Sequence, residues 1–243
     1  MPAESRLLST RAIPARERLI AALDVPDTDA ARRLVCAFGD SVAFYKLGLE
    51  LLMSGDYFRL VDELADAGKK LFLDLKLHDI PETVARAVRN LRSRRVHFVT
   101  VHYDRRVLEA ACRERGDLGI LAVTVMTSID ADDLRDQGFP EGTDPADLAL
   151  MRSKSAFDLG CDGVIASALE ARRIRAAVGP KLAIVTPGIR PTQVDDDQRR
   201  VATPREAFEN GADYIVVGRP LRDAPDPRAA AQAIQTTIDE LFG

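Results

Sequence analysis

Short apolar runs alternate with longer amphipathic stretches along almost the whole chain, and nothing else in the sequence restricts the fold as tightly. The runs cover 19–25, 43–48, 71–76, 98–102, 120–126, 163–167, 183–188 and 214–218. Each is apolar enough to be a strand covered on both faces. Between them, 29–38, 57–67, 82–91, 107–115, 145–159, 169–178 and 204–209 carry apolar residues at helical spacing, and a last helix is predicted over 228–242. Strict alternation implies parallel strands joined by right-handed crossovers. About eight such units in a chain of 243 residues is the size of a (β/α)8 TIM barrel. The competing fold is an open doubly wound sheet, but no Gly-x-Gly-x-x-Gly follows the first run and no strand pair reads as a switch point. Polar residues instead close many of the runs: Asp24, Lys46, Asp74, Lys76, His102, Thr127, Ser167, Arg190 and Arg219. A barrel site assembled from several strand tops needs that distribution. The expectation is one barrel domain over 18–243, preceded by a loose polar leader over 1–17.

Composition removes several function classes. A hydrophobic content of 46% with 30% charged residues is ordinary for a globular chain with a full core. The net charge of −4 argues against a nucleic-acid or anionic-membrane partner, so an anionic ligand must be held by a local cluster. No apolar run approaches the roughly 20 residues of a membrane span. The N-terminal segment lacks the apolar centre of a signal peptide. Cys36, Cys112 and Cys161 are odd in number and widely spaced, which suits neither a disulfide framework nor a zinc pattern. Each is expected to pack as a small apolar residue. A cytoplasmic enzyme is the class that fits.

The third run ends in Asp74-Leu75-Lys76-Leu77-His78-Asp79-Ile80-Pro81. With a side-chain period of two, Asp74 and Lys76 share a face with Phe72, while Leu71, Leu73 and Leu75 face the other way. Opposite charges on an inner strand face are costly unless they pair. Pro81 is suited to the first position of a helix, which leaves Asp79 in the strand-to-helix loop. Capping would explain Asp79 but not an inward lysine. Lys46 in Phe44-Tyr45-Lys46-Leu47-Gly48 has the parity of Phe44 and can face the same interior. An alternating set, Lys46–Asp74–Lys76–Asp79, would keep all four groups charged. Two unit charges about 4 Å apart attract by about 4 kcal/mol at an effective dielectric near 20. A protonated ammonium held in a dry site can stabilise a forming carbanion and then protonate it. A Schiff base would need the neutral amine, which flanking aspartates disfavour.

The last run ends Val216-Val217-Gly218-Arg219-Pro220, and the seventh leads into Thr186-Pro187-Gly188-Ile189-Arg190. Gly218 allows close backbone approach, and Arg219 brings a planar fork suited to phosphate oxygens. Pro220 is placed to begin a short helix. Loops after strands seven and eight are the usual phosphate corner of a barrel, and two arginines there favour an anion site. His78, His102 and Ser167 have bland readings, since none stands in a nucleophile–base pattern. From the residues alone the reading reaches a phosphorylated small molecule and carbanion chemistry.

Taken in order, Ala22-Leu23-Asp24, Tyr45-Lys46-Leu47-Gly48, the Asp74–Pro81 run, Val123-Thr124-Val125-Met126-Thr127-Ser128, Thr186-Pro187-Gly188-Ile189-Arg190, Asp197-Gln198 and Val217-Gly218-Arg219 resemble the orotidine 5'-phosphate decarboxylase family. The resemblance covers nearly all of 19–219, and the Asp-Leu-Lys-Leu-His-Asp-Ile-Pro run is its most specific part. It implies conversion of orotidine 5'-phosphate to UMP without metal or organic cofactor. It implies Asp24 and Lys46 at the ribose, Asp74, Lys76 and Asp79 in a charged network at C6 that also includes Lys46, and Lys76 as proton donor. Thr127 would meet the pyrimidine, and Arg190, Gln198, Gly218 and Arg219 the phosphate. It further implies a homodimer in which Asp79, Ile80 and Thr83 enter the partner's site. Two features depart from the family pattern. Tyr103-Asp104-Arg105-Arg106 stands where a small Gly-rich loop is common, and the segment 191–197 is short.

Two other readings stay open. Sister barrels acting on keto-sugar or hexulose phosphates share an Asp-x-Lys-x-x-Asp strand end, but they use magnesium and lack the Thr-Pro-Gly-Ile-Arg…Asp-Gln segment. A non-catalytic phosphate-binding barrel is the remaining alternative, disfavoured by a set of buried charges with no structural justification.

Overall fold

A computed structural model describes residues 7–191 and 201–243. The strands are β1 (Leu19–Ala22), β2 (Phe44–Gly48), β3 (Lys70–Leu77), β4 (Phe98–His102), β5 (Gly119–Val123), β6 (Gly163–Ile165), β7 (Ala183–Thr186) and β8 (Tyr214–Val217). They pair in sequence order, all parallel, and β8 returns to β1 to close the barrel. Every strand predicted from an apolar run is present, most of them shorter than the run. The helices are α1 (Thr28–Phe38), α2 (Leu49–Met53), α3 (Tyr57–Asp66), α4 (Pro81–Leu91), α5 (Arg105–Glu114), α6 (Ala131–Asp136), α7 (Pro145–Asp158), α8 (Ala168–Val178), α9 (Pro204–Glu209), α10 (Arg219–Arg222) and α11 (Pro227–Phe242). The short helix α6 lies in a stretch that reads as loop. Its signal is local: Asp130 and Asp133 form a reciprocal capping box.

Period-two alternation divides the core into two layers. Ile20, Ala22, Phe44, Phe72, Phe98, Leu121, Val185, Tyr214 and Val216 fill the barrel interior. Leu19, Ala21, Tyr45, Leu47, Leu71, Leu73, Val99 and Val101 face the helices. Inside, Phe44 packs against Phe98 and Tyr214 with ring centroids 5.8 and 5.9 Å apart. These rings plug the lower barrel, so residues further along the strands surround an open mouth.

Caps set where several helices begin. Asp27, Asp104, Asp144 and Ser167 each accept a hydrogen bond from the backbone of the first helical turn. Ser167 is thereby explained as a buried cap, paired with Glu170 in a capping box. Asp104 likewise accounts for the unusual loop after β4, because it receives the amides of Arg106 and Val107 and starts α5. Tyr103 of that loop lies 5.0 Å from the Arg152 guanidinium.

The described part of the N-terminal segment runs across the barrel floor and is held by polar contacts. Leu7 N donates to Glu209 O at 2.9 Å, Ser9 bonds to Asp213, and Arg11 reaches the carbonyls of Pro180 and Lys181. An apolar pattern could not announce these contacts, since none of them uses apolar surface.

Candidate active site

The cleft at the C-terminal mouth encloses about 460 Å³. Asp24, Lys46, Asp74, Lys76, Thr127, Arg190, Gly218 and Arg219 all line it, so eight residues singled out from sequence meet in one place. Gln198 lies outside the described residues. Asp79, Ile80 and Thr83 are exposed beyond the rim and do not line the cleft.

Lys46 and Asp74 reach the cleft because their strands keep the alternation. Gly48 pairs with Asp74 across β2 and β3, while Lys46 pairs with Ala22 of β1. Lys46 Nζ donates to Asp24 Oδ1 at 2.8 Å and stands 3.5 Å from Asp74 Oδ2. Lys76 Nζ donates to the other oxygen, Asp74 Oδ1, at 2.9 Å. Thr100 of β4 donates to the same Oδ1 at 3.0 Å. Side-chain exposure rises from 10% at Lys46 and 15% at Asp74 to 32% at Lys76, which makes Lys76 the ammonium that opens onto the cleft.

Burial opposes the charge on Lys46, but Asp74 and Asp24 outweigh it and hold the ammonium above its ordinary pKa. Burial likewise opposes ionisation of Asp74, while Lys46, Lys76 and the Thr100 hydroxyl keep its carboxyl below the usual range. Lys46 and Asp74 therefore both stay charged at neutral pH.

The backbone at Lys76 departs from a regular strand. Leu73 pairs with Val99 and Leu77 with Val101, so four steps along β3 match two along β4. An insertion of two residues preserves facing, which is why the parity argument places Lys76 correctly despite the bulge. Lys76 itself has φ +46°, a left-handed conformation that costs a non-glycine residue about 1–2 kcal/mol. Its amide, lost to the ladder, donates to Thr100 Oγ1 at 2.9 Å. Thr100 thus holds both the carboxylate and the strained backbone. The sequence marks it only as an inward position of β4, two residues beyond Phe98, because it does not end a strand.

Within a single chain the alternating set ends differently from the one expected, which counted Asp79 through a partner's site. In this chain the order is Asp24–Lys46–Asp74–Lys76, and Asp79 is not in it. Among the described residues Asp79 forms no ion pair; its Oδ1 accepts the Ile80 amide at 2.6 Å. The reason is local, because Asp79 lies past the end of β3, where alternation no longer aims a side chain.

Arg190 is buried, and its amide donates to Ala202 O at 2.9 Å, beside an isolated bridge between Ile189 and Ala202. Gly188, in the turn before it, has φ +76°, which favours glycine there. Arg219 opens α10 behind Gly218. Arg222, three residues on and unpredicted, also lines the cleft and donates to the Asp24 carbonyl at 2.7 Å. The Arg219–Arg222 spacing on one helical turn was the available signal. At Gly48 a Cβ would lie 3.4 Å from both Asp24 Oδ1 and Lys46 Nζ, so a larger residue would press on that pair.

A closed parallel barrel with a cluster of paired lysines and aspartates sunk in its C-terminal mouth defines a (β/α)8-barrel enzyme. The sequence profile described as the orotidine 5'-phosphate decarboxylase / HUMPS family matches residues 17–234, and the chain belongs to that family. It is 54% identical over 237 residues to a protein named orotidine 5'-phosphate decarboxylase from Methylococcus capsulatus, covering 97% of each chain. A protein of the same name from Xanthomonas euvesicatoria is 50% identical over 229 residues, 93% of each. Among solved structures, the orotidine 5'-phosphate decarboxylase from Lactobacillus acidophilus superposes with a TM-score of 0.81 at 34% identity, over 92% of this chain and 99% of that one. Among the described residues no helix is long and apolar enough to cross a membrane.

Proposed function

We propose that this chain decarboxylates orotidine 5'-phosphate to UMP in pyrimidine nucleotide synthesis, and that Lys76 both stabilises and protonates the carbon left behind. The observation that carries this reading is Lys76 Nζ held 2.9 Å from Asp74, a third exposed to a cleft that Arg190 and Arg219 also line. In the reaction the bond from C6 to the carboxylate breaks, carbon dioxide leaves, and the electron pair stays on C6. The Lys76 ammonium stabilises that charge and gives C6 its proton, after which solvent reprotonates the amine. Asp74 fixes the ammonium and sets a negative charge near the departing carboxylate. Asp24 and Lys46 are assigned to the ribose, Thr127 to the pyrimidine, and Arg190, Gln198, Gly218 and Arg219 to the phosphate. These assignments rest on the family resemblance and, for all but Gln198, on a shared cleft.

Residues 18–243 are taken to act as one cytoplasmic barrel domain with 1–17 as an N-terminal extension, and the chain as a homodimer. Ile80 supports the dimer: a large apolar side chain 67% exposed at the rim, beside Asp79 and Thr83, suits contact with a second copy. Loss of orotidine 5'-phosphate absorbance on adding enzyme, measured with EDTA present, tests the activity. A need for added magnesium would favour the sister reading. For the shared site, Lys76→Ala and Asp79→Ala chains are mixed under conditions that exchange subunits. A mixed dimer should hold one doubly damaged and one intact site and recover as much as about half the activity per dimer. If mixing restores nothing, Asp79 acts within its own chain.

A further inference from the structure

Far from the mouth, two of the three cysteines meet. Cys112, near the end of α5, and Cys161, in the turn between α7 and β6, are 49 residues apart in sequence, yet their sulfurs lie 3.6 Å from one another. Cys161 is buried and Cys112 half-buried. Both lie at the floor end of the barrel, outside the cleft and unused by the chemistry above. Arg115, just past α5, braces the same turn: its guanidinium bonds to Gly160 O and its Nε stands 3.5 Å from Asp162 Oδ2. The residues on both sides of Cys161 are therefore tied to the helix that carries Cys112.

We propose that Cys112 and Cys161 form a modification site, a dithiol that hydrogen peroxide closes to an intramolecular disulfide. A disulfide needs its sulfurs about 2.05 Å apart, so closure asks for a movement of about 1.5 Å. The two thiols are unequal. The hydrogen bond from Cys161, together with the nearby Arg115, favours the thiolate of Cys112, while that hydrogen bond and burial push the Cys161 thiol up. Cys112 is accordingly the sulfur that reacts first. Its thiolate attacks one peroxide oxygen, the O–O bond breaks, and the hydroxide released takes up a proton to leave as water. Cys112 is now a sulfenic acid. The sulfur of Cys161, giving up its proton, attacks Cys112; the S–S bond forms, the S–O bond breaks, and a second water leaves. Two thiols and one peroxide become one disulfide and two waters, with two electrons passing from sulfur to oxygen.

Cys36 serves as the internal control, being exposed on α1. Tryptic cleavage separates the three cysteines onto peptides 34–46, 107–113 and 155–172. The purified protein is treated with graded hydrogen peroxide, alkylated and digested for mass spectrometry. The expected product is 107–113 joined to 155–172, two hydrogens lighter than the two peptides together, reversed by dithiothreitol, with Cys36 still open to alkylation at the lowest peroxide that gives the link. In Cys161→Ser the link disappears and Cys112 is trapped by dimedone as its sulfenic acid. If that variant fails to fold, Cys112→Ser provides the same test, because Cys161 should then stay reduced at the peroxide level that links the wild type. Three results would overturn the proposal: Cys112 and Cys161 remaining as alkylatable as Cys36, Cys112 passing to sulfinic acid without a link, or a link that runs through Cys36.

Discussion

The two ends of this barrel each bury ionised groups, and they treat them in opposite ways. At the floor, Asp213 is fully buried and accepts from Arg175 at 2.5 Å, from the Ile184 amide at 2.7 Å and from Ser9. Arg175 spends its remaining donors on the carbonyls of Gly179, Leu182 and Gly211. Every Arg175 N–H donor in that network is taken within the protein. At the mouth, among the described residues, the Lys76 ammonium bonds only to Asp74, although it carries three N–H donors and sits on a backbone of positive φ. The contrast separates structural charge from functional charge more clearly than burial does. A saturated pair holds the fold together, whereas an under-satisfied group on a strained backbone is poised to meet something else.

The sharpest way to break that division is to remove Lys76. Lys76→Ala is expected to lower kcat by several powers of ten, since charge stabilisation and proton delivery each contribute about 10²-fold or more. Urea unfolding of the same variant should show little loss of stability, because Asp74 keeps its pairing with Lys46 and the Thr100 hydroxyl. A rate within tenfold of wild type would end the assignment.

At the other end, Asp213→Asn leaves the Arg175 charge buried without a counter-charge. A loss of about 3–5 kcal/mol is expected, read from denaturant unfolding, with kcat per folded molecule unchanged. Lower turnover at unchanged stability would show that the floor does more than hold the barrel.

Arg219→Ala should weaken UMP binding by about 2–3 kcal/mol, the scale of charge-assisted hydrogen bonds, and lower kcat/KM as well. Calorimetric titration with UMP reads it directly; unchanged affinity would place the anion elsewhere.

An effect that appears only on acidification concerns His97, at the floor beside Lys70. Burial, reinforced by Lys70, pushes its pKa down to about 4. Its folded pKa lies below the unfolded value of about 6.5, so the unfolded chain binds the extra proton between those limits. Stability is therefore complete above about pH 6.5 and falls as the pH drops toward 4, by at most about 1.4 kcal/mol per pH unit from this group. Comparing urea midpoints of wild type and His97→Gln across that range isolates the contribution. Parallel pH profiles would mean that His97 is not held neutral by the fold.

Much of the mouth is legible in the sequence. Asp74, Lys76 and Lys46 stand out because charge on the inner parity of an apolar strand demands an explanation. Arg190 and Arg219 stand out because each follows a strand end through glycine. Less legible were groups whose importance depends on a neighbour from another strand. Thr100 is an ordinary inward threonine until β3 bulges against it. Asp24 reads as a ribose ligand, and only the register of β1 against β2 makes it the partner of Lys46.

The chain alone determined the order of the elements, the all-parallel closure and the face on which each strand residue lies. Those properties follow from periodicity and local capping, which act over a few residues. Tertiary structure decided which groups touch. It inserted two extra residues of β3 opposite β4, turned Lys76 to positive φ and left Asp79 outside the lysine cluster of its own chain. It also drew Arg222 to the Asp24 carbonyl and brought Cys112 within 3.6 Å of Cys161. The physical reason is one of range. Side-chain parity is fixed by the backbone of a single strand, but contact depends on register and packing between elements tens of residues apart, and no local pattern encodes that distance.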